Sequence, residues 1–443
     1  MAGGAAHGKR EGAGHLEGDY DNVDLQGSPI SYGDLVVGAY DGEKVDWKIV
    51  DGVPAEPEVD GKAFDLTGFR GGQTAPGEDV GIWTSIGIDP TSKQPVVAYY
   101  DRTNKALKFA SFDGKAWDVQ TVDDHATNDL GQYASLAFDG SVATIAYLAI
   151  ESASEGMITS KIKIARKSGE SFSFEDAIVN AATPCRQAFC GDGTLCLANE
   201  GVCAKAASSC GECTDQECTT LVGQDACSDV LKDKIDAYPL ATGLYVTLAN
   251  LPGGGLGLAY YDRVAGTVNV AANQNGTWTP VVVDGGMQPD MSVSDTGVGL
   301  SLFIDGAGDW HLTYVDGYAE ALKYARVQGG AVMEREVIDD GLSLGGTPNP
   351  DGLRVVGDDS NVRVSPQGEV HVTYQDATTG KLRYAVGTAK QGGGHDWSTR
   401  EITADGFAGF FSTQVELDGA LRFVHFWRKA RETTHGGVHV SAP

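Results

Sequence analysis

A four-strand pattern that recurs along the chain constrains the fold more than any other feature of this sequence. Its clearest copy has apolar and aromatic runs at 83–88, 96–100, 107–112 and 117–122, separated by polar turns rich in Asp and Gly. Short runs of this kind between turn residues are typical of β-strands joined by tight connections. This copy therefore predicts one antiparallel sheet of four strands.

The same order of strands returns downstream of residue 123. Sequences related to the second strand occur at 145–149, 258–262, 312–316, 372–376 and 424–428, and sequences related to the third at 162–166, 268–272, 322–326, 382–386 and 438–442. A four-stranded sheet cannot cover both of its own faces, so each copy must pack against a neighbour. A repeat of roughly fifty residues is typical of β-propeller blades. We therefore predict an all-β propeller with four antiparallel strands in each blade.

The number of blades depends on how the two chain ends are used. Six copies lie, within a few residues, at 82–123, 132–180, 242–285, 297–340, 353–405 and 408–443. The last copy lacks an outer strand and residues 35–52 match the end of a copy, so we predict six blades in a ring closed by strands from both termini. Because 35–40 duplicates a strand that 438–442 also supplies, seven blades are the alternative. The predicted domains are a flexible, Gly-rich segment at 1–30 and the propeller at 31–443.

The composition bears on partners and cofactors. A net charge of −28 predicts repulsion of nucleic acid and anionic membranes, since neutralising phosphates needs clustered Lys and Arg. No apolar run is long enough for a membrane span, so we expect none. The acidity is interpreted as a solubility feature, with no cofactor. The alternative is Ca²⁺ bound in Asp-rich turns, for which the candidates are Asp19, Asp21 and Asp24.

All of the cysteines lie in one insertion, at 183–232, between the second and third copies. They number eight: Cys185, Cys190, Cys196, Cys203, Cys210, Cys213, Cys218 and Cys227. An even number of cysteines in so short a segment predicts a disulfide framework, whose pairing the sequence leaves open. The alternative is a zinc site formed by Cys210, Cys213, Cys218 and Cys227, although the second pair lacks the usual spacing. Disulfides predict a protein that is secreted or exposed at the cell surface.

Two columns of side chains recur where the second strand ends. Four copies close the strand with an aspartate, which we interpret as a turn cap, with ligand pockets between blades as the alternative: Asp101, Asp262, Asp316 and Asp376. The position before it varies in a way that indicates a face able to reach a ligand: Tyr100, Leu148, Tyr261, Val315, Gln375 and Trp427. The ligand-binding candidates are Tyr100, Asp101, Arg102, Tyr261, Asp262, Arg263 and Trp427.

Two further columns are interpreted as structural. An aromatic residue precedes the variable position in every copy, and we expect this column to pack one blade on the next: Tyr99, Tyr147, Tyr260, Tyr314, Tyr374 and Phe426. His311 and His371 occupy matching positions in consecutive copies. With no third ligand apparent, we expect packed or hydrogen-bonded histidines rather than a shared metal.

Some turns resemble those of known propellers. The sequences SFDGKAW at 111–117 and NQNGTW at 273–278 resemble the Asp-box turns of six-bladed sialidase-like propellers, with one residue fewer between Asp and Trp. FRGG at 69–72 resembles the sialidase FRIP motif, without its Ile-Pro. In that family the motif's Arg holds the substrate carboxylate, so the resemblance implies Arg70 as a catalytic-site candidate. The remaining sialidase arginines and the Tyr-Glu pair have no match.

The repeats are also similar to those of six-bladed fucose-binding lectins, which use Arg, an acid and aromatic residues between blades. Here Arg102 with Tyr100, and Arg263 with Tyr261, match that arrangement. Repetition without a unique catalytic group favours a non-enzymatic binding or adhesion module for a protein or carbohydrate ligand. The alternatives are a sialidase-like glycoside hydrolase with a central pocket and a structural subunit of an extracellular assembly.

Overall fold

The structure is a computed structural model. It describes residues 5–10, 32–40, 45–52, 78–152, 158–183, 194–197, 202–213, 217–221, 224–228, 239–274, 276–288, 294–317, 319–342, 354–402, 406–417, 419–428 and 436–443. Throughout these residues the chain is β-structure and connecting turns, apart from one short 3-10 helix at Cys210–Glu212. In the described part of the chain, no helix is long and apolar enough to cross a membrane.

Strands follow one another in the order that the sequence predicts. The N-terminal sheet has β1 (Ala5–Arg10), β2 (Tyr32–Tyr40) and β3 (Val45–Asp51). Blade 1 has β4 (Val80–Ile88), β5 (Pro95–Asp101), β6 (Ala106–Phe112) and β7 (Trp117–Asp123), and blade 2 has β8 (Asp129–Asp139), β9 (Val142–Ser152), β10 (Ile158–Ser168) and β11 (Ser171–Thr183). The insertion follows with β12 (Thr194–Leu197), β13 (Val202–Ala207), β14 (Glu217–Leu221) and β15 (Gln224–Ser228).

The remaining blades follow the insertion. Blade 3 has β16 (Thr242–Asn250), β17 (Leu256–Asp262), β18 (Thr267–Gln274) and β19 (Thr277–Gly285); blade 4 has β20 (Thr296–Ile304), β21 (Trp310–Asp316), β22 (Ala321–Gln328) and β23 (Ala331–Asp339). Blade 5 has β24 (Val356–Val364), β25 (Val370–Asp376), β26 (Lys381–Ala389) and β27 (His395–Glu401), and blade 6 has β28 (Phe407–Leu417), β29 (Ala420–Arg428) and β30 (Gly436–Ser441). Within every blade, consecutive strands pair antiparallel. From blade 1 through blade 6, the first strand of each blade packs on the first strand of the next, and we call these the inner strands. The predicted six-bladed, all-β propeller is confirmed.

The chain termini contribute separate sheets. Among the described residues, blade 6 has three strands, and β1, β2 and β3 form another sheet whose strands contact the inner strand of blade 1. The duplicated sequences at 35–40 and 438–442 are therefore both strands. A third strand of blade 6 would have to pair with β29. Both edges of β29 are already paired, one with β28 and the other with β30, so the N-terminal hairpin cannot supply that third strand. The closure of the ring and the domain boundaries at 30 and 31 stay predictions; β1 lies within 1–30.

The predicted aromatic column lies between blades. Tyr99, Tyr147, Tyr314 and Tyr374 are fully buried, and Tyr147 packs with side chains of blade 1 such as Leu107. Each of these four tyrosines pairs across the sheet with a basic residue. Both side chains contact an aspartate at the end of the last strand of the preceding sheet, which we call its outer strand. Such inter-blade triads are Tyr99–Asp51–Lys108, Tyr147–Asp123–Lys163, Tyr314–Asp284–Lys323 and Tyr374–Asp339–Arg383.

Blade 3 departs from this arrangement at the junction that carries the insertion. Asn269 lies across from Tyr260, where the triads have Lys or Arg. Its side-chain amide donates to Thr267 of its own blade at 3.0 Å. Polar contacts of another kind join blades 2 and 3, since Asn180 donates to Thr242 Oγ1 at 2.9 Å. The cysteine insertion thus enters at a junction without this charged contact.

Candidate functional site

The tyrosines among the predicted ligand residues are buried. Tyr100 and Tyr261 are 3% and 1% exposed, and each hydroxyl donates to an aspartate at the start of the next blade, Asp129 and Asp295. Burial, and then the neighbouring carboxylate, raises the pKa of both tyrosines. These side chains therefore join blades, and their predicted contact with a ligand stays a prediction.

The aspartate column caps turns, as the main interpretation held. One carboxylate oxygen accepts the backbone N–H three residues later, at 2.9–3.2 Å, in each of Asp101, Asp262, Asp316 and Asp376. Asp101 also lines an open polar cavity of about 680 Å³ with Glu78, Lys108 and His125. Its second oxygen accepts the Asn104 side-chain N–H at 2.9 Å. The cavity therefore meets a carboxylate that is already hydrogen-bonded.

The other predicted site residues are spread over the molecule. Arg102 lies 3.5 Å from Asp79 at the edge of blade 1, and the backbone N–H of Arg263 donates to Ala241 in blade 3. Trp427 stacks on His439 in blade 6, with ring centroids 4.7 Å apart. The structure does not bring the candidates together. Their roles stay predictions, as do those of the residues outside the described part of the chain: Asp19, Asp21, Asp24, Arg70, Cys185 and Cys190.

The insertion carries at least two disulfides. Cys213 and Cys227 are bonded to each other, and Cys210 is also disulfide-bonded. The zinc alternative for these cysteines is therefore wrong, because a disulfide sulfur offers no thiolate to a metal. Cys196, Cys203 and Cys218 lie on strands β12, β13 and β14, and their pairing stays a prediction.

The paired histidines are hydrogen-bonded, as predicted. His311 Nδ1 lies 2.7 Å from the Tyr324 hydroxyl, and His371 Nδ1 lies 2.6 Å from the Tyr384 hydroxyl. Burial lowers the pKa of both imidazoles. Each histidine thus bonds the third strand of its own blade.

A feature that the sequence reasoning missed lies on the inner strands. Each contains Gly-x-x-x-[Ser/Thr/Asn], at 81–85, 131–135, 243–247, 297–301, 357–361 and 409–413. The third residue of each copy has a left-handed backbone, with φ from +49° to +63°: Trp83, Tyr133, Tyr245, Gly299, Asp359 and Phe411. The pairing with the second strand shifts there in every blade. The repeated motif was visible in the sequence, although its conformation was not.

This conformation is costly for bulky residues. A left-handed backbone costs roughly 1–2 kcal/mol per non-glycine residue, and such strain concentrates at functional sites. Hydrogen bonds between inner strands hold it in place. Ser85 and Ser135 each accept a backbone N–H from the next inner strand at 2.9 Å, and Asn361 accepts one at 3.1 Å. The last residue of the motif therefore fixes the bulge against the following blade.

The non-glycine residues at this left-handed position, one on the inner strand of each blade except blade 4, are called here the inner-strand arc: Trp83, Tyr133, Tyr245, Asp359 and Phe411. The ring centroids of Trp83 and Tyr133 are 4.4 Å apart, and those of Tyr133 and Tyr245 are 4.8 Å apart. Gly299 follows in blade 4, and Asp359 Oδ2 then accepts the Phe411 backbone N–H at 3.0 Å. The Phe411 side chain is 62% exposed. The arc thus contains one group of three contacting aromatic rings, and a carboxyl group bonded to the backbone of an exposed phenylalanine.

The carboxyl of the arc, that of Asp359, has a raised pKa. Burial raises the pKa of Asp359 to about 6, and the negative charge of Asp358 adds to the rise. Burial also raises the pKa of Asp358. Near pH 6 the Asp359 carboxyl can therefore accept a hydrogen bond when ionised or donate one when protonated.

Replacing Asp359 with asparagine is expected to raise the free energy of unfolding at pH 7 by about 1–3 kcal/mol and to change it little near pH 4. Because the folded-state pKa is raised to about 6, ionisation costs the wild type stability as the pH rises from about 4 to about 6. Asparagine carries no charge and tolerates the left-handed conformation. Urea unfolding at pH 4, 5, 6 and 7 measures the difference; a gap that stays constant with pH contradicts this account.

Comparison with known proteins gives similar folds. No protein-family model matches the chain, and no curated protein matches it. The NanB sialidase from Streptococcus pneumoniae is 9% identical, with 82% of this chain and 67% of that chain covered and a TM-score of 0.42. The leech intramolecular trans-sialidase is 10% identical, with 82% and 66% covered and a TM-score of 0.40. A mutant Aleuria aurantia lectin, in complex with Fucα1-6GlcNAc, is 11% identical, with 81% and 95% covered and a TM-score of 0.36.

Both groups that the repeats resemble, sialidases and a fucose-binding lectin, occur among these structures. Their identities and TM-scores are too low to carry an argument about ligand or activity. The assignment of function therefore depends on the residues of this chain.

Proposed function

We propose that the protein is a non-enzymatic carbohydrate-binding module and that its ligand packs on the inner-strand arc. The observation that carries the proposal is the repeated left-handed bulge, which has an aromatic residue in four blades and an aspartate in a fifth despite its cost in backbone energy. Sugar rings have apolar C–H faces that pack on aromatic rings, and hydroxyls that bond to carboxyl groups. In the arc, Phe411 offers an exposed aromatic face and Asp359 a carboxyl, whereas Tyr133 is 5% exposed and supports the arc from the core.

The charge of the site favours neutral glycans. Asp358 and Asp359 are the charged residues within the six Gly-x-x-x-[Ser/Thr/Asn] segments of the inner strands, and the whole chain carries a net charge of −28. An acidic sugar would meet repulsion from these carboxylates. A sialidase-like site needs the opposite charge at the substrate carboxylate, and its candidate Arg70 lies outside the described residues. Binding of a neutral glycan therefore has more support than sialoside hydrolysis.

The disulfides support a location outside the reducing cytosol. Cys213–Cys227 is formed, and disulfides persist mainly in secreted proteins and at cell surfaces. Neutral glycans exposed on cells or in the extracellular matrix are ligands that such a protein can meet. A structural role for the insertion in a larger assembly stays a prediction.

Replacing Phe411 with glycine is expected to weaken glycan binding roughly tenfold or more, because it removes an exposed aromatic face from the arc. The free energy of unfolding is expected to stay level or rise by up to about 1 kcal/mol, since glycine adopts φ of +53° without strain. Glycan-array screening of the intact protein identifies a ligand, and calorimetric titration then compares the affinities of the two proteins.

Phe174→Gly is the matched control. Phe174 is 47% exposed on the outer strand β11, away from the arc. Glycine there is expected to lower stability by about 1 kcal/mol and to leave glycan affinity unchanged. If the intact protein binds no glycan, or if Phe411→Gly keeps full affinity, the proposal fails. Cleavage of the bound glycan during long incubation would instead show an enzyme.

A further inference from the structure

A buried histidine and two glutamates meet at the outer junction of blades 4 and 5. Glu334 and Glu336 are two residues apart on β23, so their side chains lie on the same face of the strand. His395 begins β27 in the next blade, and its side chain is 8% exposed. His395 Nδ1 lies 3.0 Å from Glu336 Oε2 and 3.7 Å from Glu334 Oε2. One ligand atom from each residue lies within 4.8 Å of the other two.

We propose that Glu334, Glu336 and His395 form a binding site for a divalent transition metal such as Zn²⁺. Zinc bonds to imidazole nitrogen and carboxylate oxygen at about 2.0–2.2 Å, which puts neighbouring ligand atoms roughly 3–3.5 Å apart. The distance from His395 Nδ1 to Glu336 Oε2, 3.0 Å, lies in this range, and the distance to Glu334 Oε2, 3.7 Å, is 0.2 Å longer than its upper end. The set of one imidazole and two carboxylates suits a metal of intermediate softness better than Ca²⁺, which takes oxygen ligands.

One of the proposed ligand atoms is buried without a hydrogen bond. Glu334 Oε2 is buried and accepts no hydrogen bond from the described residues. A buried carboxylate oxygen without a donor is costly, and a bound ion is one of the explanations for such an atom. The oxygen that faces His395 is thus buried and has no hydrogen-bond donor among the described residues.

Neighbouring donors hold the carboxylates in this orientation. Arg326 donates to Glu334 Oε1 at 2.7 Å, so the other oxygen faces His395. Trp397 Nε1 and the His395 backbone N–H donate to Glu336 at 2.9 and 2.8 Å. Groups that orient metal ligands in this way raise metal affinity.

The junction of blades 2 and 3 shows what blade packing alone requires. There Glu175 accepts Trp278 Nε1 at 2.9 Å and pairs with Arg166 at 2.5 Å. At blades 4 and 5 these two contacts go to different glutamates, Trp397 to Glu336 and Arg326 to Glu334, so the junction has a second glutamate and also a buried histidine. The added residues supply two of the three proposed ligands. A metal held by His395 of blade 5 and by Glu334 and Glu336 of blade 4 would join the two blades.

The test is calorimetric titration of the chelator-treated, intact protein with Zn²⁺. We expect one zinc per chain at this site, with affinity lowered more than about 100-fold in His395→Gln and in Glu334→Gln. Zn²⁺ is expected to raise the melting temperature of the wild type and not of the variants. Ca²⁺ and Mg²⁺ serve as probes for general attraction to the acidic surface and are expected to bind only weakly.

His371→Gln is the matched control, because His371 is another partly buried histidine of blade 5, bonded to Tyr384. It is expected to keep the zinc affinity of the wild type. Glu334→Gln tests the site without changing the histidine, should His395→Gln fold poorly. Absence of stoichiometric zinc binding in the wild type, or equal zinc affinity in the wild type and a folded site variant, overturns the proposal.

Discussion

Asp339→Ala is expected to lower the free energy of unfolding by about 3–5 kcal/mol, the loss typical of breaking a buried ion pair from one side. The Asp339 side chain is completely buried and accepts the Tyr374 hydroxyl at 2.6 Å. Arg383, with 9% of its side chain exposed, lies 3.7 Å away and donates to the same hydroxyl at 3.2 Å. Alanine leaves the guanidinium buried without its counter-charge.

Urea unfolding of the variant measures the loss. Asp118→Ala is the control, since Asp118 is an exposed aspartate on outer strand β7. There the same substitution is expected to change stability by no more than about 0.5 kcal/mol. The double variant Asp339→Ala/Arg383→Leu is expected to recover part of the loss, because it removes the unpaired charge. A loss below about 1 kcal/mol in Asp339→Ala would show that the triad contributes little to the contact between blades.

Gly131→Ala is expected to destabilise the protein by about 3 kcal/mol or more. Gly131 has φ of +110°, which a side chain disfavours. A Cβ atom at this position would also lie 2.7 Å from the Cα atom of Leu107 in blade 1. Because that neighbour is backbone, the clash is relieved only by moving blade 2 away from blade 1.

Gly140→Ala separates the cost of the positive φ from the cost of the steric clash. Gly140 also has positive φ, +62°, but a Cβ atom there would meet nothing within 4 Å. It is expected to cost about 1–2 kcal/mol, for the backbone alone. The melting temperatures and urea midpoints of the two variants give the comparison. Equal losses of stability in the two variants would mean that the close approach of the blades at Gly131 adds no cost to the substitution.

Features that depend on neighbours in sequence were predictable. The strand order followed from alternating runs and turn residues, which act over a few positions. The capping role of Asp101 and Asp262 followed for the same reason, because the carboxylate bonds a backbone N–H three residues away. Burial of Tyr99 and its equivalents followed from their recurrence in each copy.

Features that depend on two blades were not predictable. Tyr100 was expected to reach a ligand, but its hydroxyl bonds Asp129 of the next blade, 29 residues away. Asp51 lies 48 residues from Tyr99, and nothing in a single repeat indicates that they meet. The left-handed conformation of Trp83 and Tyr133 runs against local preference, which disfavours it for bulky residues. Contacts with the adjoining inner strand hold it.

The sequence by itself determined the repeating unit, its four strands and its turns, because these depend on local alternation of apolar and polar residues. The tertiary structure alone decided which polar groups pair between blades, where the backbone becomes left-handed and which side chains meet in the inner-strand arc and at Glu334, Glu336 and His395. The physical reason is distance along the chain. These contacts join residues of different repeats, and their geometry exists only once neighbouring blades have packed.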